Sequence, residues 1–260
     1  MYRELFVKVW NYRTRIITKG EGKIVLLIHG LGGSADSWIN TIELLSKDFR
    51  VIAPDLIGFG YSDKPDIKYT IDDFINFIYH LLYTLNLSKV YLLGLSLGGQ
   101  IASWFTITYP KFVEKLVLVC SAGISLENTK ALKIFKKRDY SFEGIRERLK
   151  ACVMKKDLIN DKMVEDFLNF SRFKGFKRAF SRALKSSYEK ERLNFHLKRI
   201  NCPTLILWGK YDPLIPVKYA YEFHRGIRNS SLILLDCGHL PNLEEPISFN
   251  NYLRNFLINR

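Results

Sequence analysis

Cysteine is scarce in this sequence, and its few residues stand apart from one another. There are four, Cys120, Cys152, Cys202 and Cys237, and no two form a Cys-x-x-Cys pair. Zinc sites and disulfide frameworks usually show closely and regularly spaced cysteines. The spacing therefore argues against both, and we expect a protein without a metal ion or another cofactor.

Long apolar runs are also missing. Residues 1–10 carry Arg3, Glu4 and Lys8 and lack the apolar stretch of a secretory signal. No run in the sequence approaches the roughly 20 apolar residues that cross a bilayer. From these two absences we expect a cytoplasmic location.

What the chain does contain is enough apolar sequence for one large core. Of its 260 residues, 47% are hydrophobic, which suits a single α/β domain and leaves no room for a second catalytic domain. Short apolar runs alternate with helix-like segments along most of its length. The strand-like runs are 5–9, 14–18, 24–28, 50–53, 90–93, 116–120, 204–208 and 231–235.

This alternation predicts an α/β fold with a mostly parallel, doubly wound sheet, in which the first two runs form an antiparallel hairpin. Between residues 121 and 201 the alternation stops and helical runs predominate. We therefore predict a core built from 1–120 and 202–260, with 121–201 inserted as a helical cap. The cap is expected to cover the carboxyl ends of the strands.

The motif that says most about chemistry is Gly94-Leu95-Ser96-Leu97-Gly98-Gly99, which lies between an apolar run and a helix-like segment. A serine between glycines at such a junction is typical of a nucleophile held on a tight strand-turn-helix elbow. Glycine is needed because β-carbons at positions 94 and 98 would collide with neighbouring backbone. Since the pattern also arises by chance, the assignment of Ser96 depends on finding its partners.

A serine nucleophile needs a base, an acid that orients the base, and donors for the oxyanion. Asp212 follows the apolar run 204–208 and is the predicted acid, and His239 follows the run 231–235 and is the predicted base. Asp55, Asp63 and Asp236 are alternative acids, although the first two are expected to bind backbone in their own loop. His29 is expected to be structural.

The fourth requirement is met near the start of the chain, where the run 24–28 ends in His29-Gly30-Leu31-Gly32-Gly33. With this loop the sequence resembles the α/β-hydrolase superfamily, in which His-Gly opens the oxyanion loop. The loop after 50–53 and the histidine loop with Glu244 and Glu245 are similar too. The resemblance implies oxyanion donors at the backbone N–H groups of Leu31 and Leu97.

The resemblance also limits the reaction. Ser96 stands where the dehalogenases and epoxide hydrolases of the superfamily have aspartate. Its carbon–carbon bond hydrolases typically have asparagine before the nucleophile and tryptophan after the histidine, where this chain has Leu95 and Leu240. We therefore predict a serine hydrolase of carboxylesterase or lipase type, acting on a small apolar ester in a pocket lined by Gly30, Leu95 and Leu240.

Several alternatives stay open. The same site suits carbon–carbon bond hydrolysis of diketone-like acids, monoacylglycerol hydrolysis, or a ligand receptor that does not turn over. The oligomeric state is not predicted.

Positive charge is concentrated in the predicted cap. Residues 121–200 hold 21 Lys and Arg against 10 Asp and Glu, in a chain whose net charge is +14. Phenylalanines alternate with basic residues from 167 to 182, and we expect them to pack inward with the charges facing solvent. We predict no nucleic-acid binding and allow a weak association with anionic surfaces.

Overall fold

The computed structural model describes residues 1–125 and 127–259, and a single sheet runs through that part of the chain. Its strands are β1 (Arg3–Val9), β2 (Tyr12–Lys19), β3 (Ile24–Ile28), β4 (Arg50–Pro54), β5 (Val90–Leu95), β6 (Val113–Val119), β7 (Thr204–Gly209) and β8 (Ser230–Leu235). Their order in the sheet is β1-β2-β4-β3-β5-β6-β7-β8. The pairs β1/β2 and β2/β4 are antiparallel and all other neighbours are parallel. The predicted fold class is therefore confirmed.

The helices are α1 (Ile39–Leu45), α2 (Ile71–Thr84), α3 (Leu97–Thr108), α4 (Lys130–Phe135), α5 (Phe142–Lys150), α6 (Asp161–Arg172), α7 (Phe176–Glu189), α8 (Lys218–Gly226), α9 (Pro241–Glu244) and α10 (Pro246–Ile258). Helix α1 packs against α10, and α2 packs against α3. Because helices cover the parallel sheet, every residue of β5 and β7 is buried. No helix among the described residues has the length and hydropathy of a membrane span.

The start of β6 differs most from its prediction, while the other strand ends agree to within two residues. Strand β6 begins at Val113, whereas the apolar pattern placed its start at residue 116. The missed part contains Lys115, whose side chain is buried and whose Nζ donates to the carbonyls of Phe256 (2.9 Å) and Leu257 (3.0 Å) at the end of α10. A lysine in a strand is hidden from a hydrophobicity pattern, because only the tertiary structure supplies its acceptors.

Between β6 and β7 the described residues contain four α-helices, α4 to α7, and no strand. Three short 3₁₀ turns complete the region, and the last two, Leu193–Phe195 and Leu197–Arg199, contact α8 of the core. The cap helices thus end at Glu189, before the boundary at residue 201 expected from sequence. Of the phenylalanines that alternate with basic residues from 167 to 182, Phe173 is 44% exposed. The other four are buried, and they are Phe167, Phe170, Phe176 and Phe180.

Candidate active site

Ser96 lies at a sharp turn between β5 and α3. Its backbone has φ 55° and ψ −116°, a conformation that a residue with a β-carbon rarely adopts. A β-carbon on Gly94 would come within 2.1 Å of the Gly98 carbonyl oxygen, and one on Gly98 within 2.4 Å of the Ile28 carbonyl oxygen. The flanking glycines are therefore required by backbone contact, which is the physical basis of the motif.

Asp212 and His239 are joined by a short hydrogen bond between the loops after β7 and β8. The Nδ1–H of His239 donates to Asp212 Oδ2 at 2.7 Å, and both side chains are buried. The second carboxylate oxygen, Oδ1, accepts from the backbone N–H groups of Leu214 (2.8 Å) and Ile215 (2.9 Å). With its Nδ1 committed as a donor, the ring keeps Nε2 free as an acceptor, as a general base requires.

The rival acids lie elsewhere. Buried Asp55 accepts from the backbone N–H groups of Ala35 and Tyr61, both at 2.7 Å. Asp63 accepts from the backbone N–H of Arg13 at 2.8 Å, so its partner lies in β2 and not in its own loop as expected. Asp236 forms an exposed ion pair with Lys210. Only Asp212 among the four candidates is hydrogen-bonded to His239.

His29 connects two loops beside the site. Its Nε2 accepts from the backbone N–H of Leu56 (2.9 Å), and its Nδ1 donates to the Gly30 carbonyl oxygen (2.7 Å). Complete burial lowers the pKa of His29, so the ring is neutral. A neutral ring with both nitrogens hydrogen-bonded to backbone holds the glycine loop in place.

The glycine loop after β3 packs directly on the serine. A β-carbon on Gly30 would stand 3.4 Å from the Ser96 β-carbon. Among the described residues, neither Leu31 N–H nor Leu97 N–H has a hydrogen-bond acceptor. Leu97 is the first residue of α3, where backbone N–H groups point out of the helix and favour negative charge.

A cavity of about 250 Å³ brings these groups together. From the core it is lined by Gly30, Leu31, Leu95, Ser96, Leu97, His239 and Leu240, which include every predicted pocket and oxyanion residue and two of the three predicted catalytic ones. Asp212 lies behind His239 and is covered by it.

The core also lines the cavity with Gly32, Gly33, Ser37, Leu214 and Ile215. The cap supplies the remaining residues, which are Ala122, Gly123, Ser125, Leu132, Phe135, Leu149, Cys152, Met163, Phe167, Leu184, Ser187 and Tyr188. Burial raises the pKa of Tyr188 to about 12, so that its hydroxyl stays protonated. No lining residue in the described chain is Lys, Arg, Asp or Glu. The cap's positive charge therefore faces away from the cavity, and the expected association with anionic surfaces stays a prediction.

Glu244 has a structural role that its place in the motif did not reveal. It is buried, and its carboxylate accepts from the backbone N–H groups of Gly238 (2.9 Å), Met154 (2.8 Å) and Lys155 (3.0 Å). The backbone N–H of His239 also donates to the Cys152 carbonyl (2.8 Å). The histidine loop is thus tied to the cap segment 152–155.

We expect Glu244→Ala to lower the free energy of unfolding by about 2–3 kcal/mol, because three backbone N–H groups, one of them buried, lose a charged acceptor. Turnover should fall as well, because the His239 loop loses its attachment. The matched control is Glu245→Ala, which removes a partly exposed ion pair with Lys155 and should cost less than about 1 kcal/mol. Urea titration of both variants makes the comparison, and equal losses would contradict the role of Glu244.

Comparisons with known proteins agree with this geometry. The profile of the alpha/beta hydrolase fold family matches residues 23–246. The chain is 33% identical to the 2-hydroxy-6-oxo-6-(2'-aminophenyl)hexa-2,4-dienoic acid hydrolase of Metapseudomonas resinovorans, covering 100% of this chain and 92% of that protein.

Solved structures give the same result. A serine hydrolase involved in carbazole degradation superposes with a TM-score of 0.90 at 31% identity, over 100% of both chains. The meta-cleavage product hydrolase of Pseudomonas fluorescens IP01 also has a TM-score of 0.90, at 27% identity over 97% of both chains. The sequence relationship and the shared structure together show that this chain belongs to the α/β-hydrolase fold family.

Proposed function

We propose that this protein is a serine hydrolase that cleaves a carbon–carbon bond in a diketone-like dienoic acid. The observation that carries the serine mechanism is geometric: Ser96 and His239 line one cavity, and His239 is hydrogen-bonded to buried Asp212. The substrate class comes from the whole-length relatives, whose names describe hydrolases of such acids. This choice replaces ester cleavage, which the sequence alone favoured.

In the proposed reaction His239 Nε2 takes the proton of the Ser96 hydroxyl as Oγ attacks the ketone carbon next to the bond that breaks. The N–H groups of Leu31 and Leu97 stabilise the oxyanion. The substrate reacts as its 2-keto tautomer, formed when the 2-hydroxyl proton moves to carbon 5 and leaves a double bond between carbons 3 and 4. When the tetrahedral intermediate collapses, the bond between carbons 5 and 6 breaks. Its electron pair is delocalised through that double bond onto the 2-keto oxygen as a dienolate, which His239 protonates. Water, activated by His239, then releases the acyl group from Ser96 as a carboxylic acid.

Ester hydrolysis is a second candidate, and the cavity wall favours it. A carboxylate placed against an uncharged and mostly apolar wall is costly unless a cation or hydrogen-bond donors satisfy it. No charged side chain lines this cavity in the described residues, and the leucines at 95 and 240 add apolar surface on either side of Ser96 and His239. The same serine, histidine and oxyanion donors would serve either reaction.

One enzyme preparation can separate the two candidates. We expect kcat/KM for a 2-hydroxy-6-oxo-dienoic acid, followed by loss of its absorbance, to exceed that for p-nitrophenyl esters of two to eight acyl carbons by at least about tenfold. Both activities should disappear in Ser96→Ala. Turnover of the esters without turnover of the acid would replace the first candidate by the second. If each protein molecule reacts slowly and only once with either compound, without further turnover, the result would indicate a receptor.

A further inference from the structure

Cys120, the residue directly after β6, lies against the Asp212–His239 pair. Its Sγ, a carboxylate oxygen of Asp212 and a ring nitrogen of His239 are all within 4.8 Å of one another, and all three residues are buried. The sulfur accepts weakly from the backbone N–H of Gly209 at 3.5 Å, and the thiol is not in a disulfide. No pattern in the sequence indicates this cluster, because its three members follow three different strands.

Thiolate, imidazole and carboxylate are the three side-chain ligands that zinc takes in proteins, at about 2.3, 2.0 and 2.1 Å respectively. A tetrahedral ion with such bonds keeps its ligand atoms roughly 3.3–3.8 Å apart. Sγ therefore has to approach by up to about 1.3 Å, and the 2.7 Å distance between His239 Nδ1 and Asp212 Oδ2 has to lengthen by about 0.6 Å. The buried carboxylate also has no Lys or Arg within ion-pair distance in the described chain, so that a cation would compensate its charge.

We propose that Cys120, Asp212 and His239 form an inhibitory binding site for Zn²⁺. The ion takes the place of the Nδ1 proton between His239 and Asp212 and binds the Cys120 sulfur as a thiolate. One proton leaves the protein, from the thiol, while the Nδ1 proton is transferred to Nε2 of the same ring. No electron is transferred and no oxidant is needed.

Inhibition follows from the change of tautomer. A ring that carries its proton on Nε2 cannot accept the proton of Ser96, so that the serine is not activated. This consequence rests on the proposed function, in which His239 is the base. Zinc binding itself does not rest on it, since none of the three ligands is Ser96.

The test measures binding and inhibition separately, with zinc chloride as the probe and tag-free, full-length protein. Calorimetry on Ser96→Ala, which needs no activity, should show one ion bound for each chain. Introducing Cys120→Ala into the Ser96→Ala protein should weaken zinc binding by at least about tenfold, since a ligand is lost. The alanine keeps the β-carbon, so that the backbone at φ 43° is equally strained in both proteins. Cys202→Ala and His196→Ala are the controls, and both should bind as before.

With the serine in place, zinc should inhibit turnover, excess EDTA should restore it, and Cys120→Ala should raise the half-inhibiting zinc concentration by at least about tenfold. Cobalt supplies a spectroscopic check, because a thiolate-to-cobalt absorption band should form in the parent protein and be absent from Cys120→Ser. Binding or inhibition that survives unchanged in both Cys120 variants would overturn the site. Binding with the expected dependence on Cys120 in a protein that turns over no substrate would overturn the proposed function and leave the site standing.

Discussion

Ser96→Ala is expected to lower kcat by about five to six orders of magnitude, with either the dienoic acid or an ester as substrate. The change removes the nucleophilic oxygen, and what remains is binding and the oxyanion donors. The fold should persist, because alanine keeps the β-carbon that already occupies the elbow at φ 55°. The measurement is kcat together with a thermal melt of the same preparation.

Ser96→Gly is the matched control for this experiment. Glycine tolerates the elbow conformation without strain, so that Ser96→Gly should melt at or above the temperature of Ser96→Ala while being equally inactive. Activity of either variant within tenfold of the parent protein would remove Ser96 from the mechanism. An inactive variant that is also unfolded would not support the assignment, which is why the melt is part of the measurement.

Asp212→Asn is expected to lower kcat by about 10⁴ at neutral pH. The structure fixes how the amide must lie: its oxygen stays on the N–H groups of Leu214 and Ile215, which need an acceptor. The amide NH₂ then faces His239 Nδ1, and two donors cannot face each other. The ring is driven to the tautomer with its proton on Nε2, which cannot accept the proton of Ser96.

The comparison variant is Asp236→Asn. It makes the same aspartate-to-asparagine change in the histidine loop, three residues before His239. Its carboxylate is exposed and, in the part of the chain that the structure describes, pairs with Lys210 alone, so kcat should stay within a few-fold of the parent value. Both variants are to be assayed side by side on one substrate. If Asp236→Asn proves the more damaging change, the acid has been misassigned.

Much of the fold was predictable from local sequence. Strands that are covered on both faces must be apolar along their whole length, so β3, β5 and β7 appear as continuous apolar runs in the sequence. Glycine is demanded by backbone contact at positions 94 and 98, which is why the elbow is visible as a motif. The start of β6 was missed because buried Lys115 finds its acceptors on α10, far away in the chain.

The composition of the site was only partly predictable. The sequence placed the serine, the acid and the base after three separate strands, and parallel strands bring their carboxyl ends to one edge of a sheet. It could not choose among four aspartates by contact, because a hydrogen bond to His239 is a property of the assembled loops. Nor could the sequence show that Glu244 joins the histidine loop to the cap, since the N–H donors of Met154 and Lys155 come from a segment distant in the chain.

By itself, then, the sequence indicated the class of fold, the elbow and the order of the candidate triad, because each strand, the elbow and each candidate residue is marked by its immediate neighbours in the chain. The tertiary structure alone decided which cap residues form the uncharged wall beside Ser96 and that Cys120 lies beside Asp212 and His239. Both arise from packing between segments distant in sequence, where the position of one side chain is set by its neighbours in space and leaves no periodic pattern in the chain.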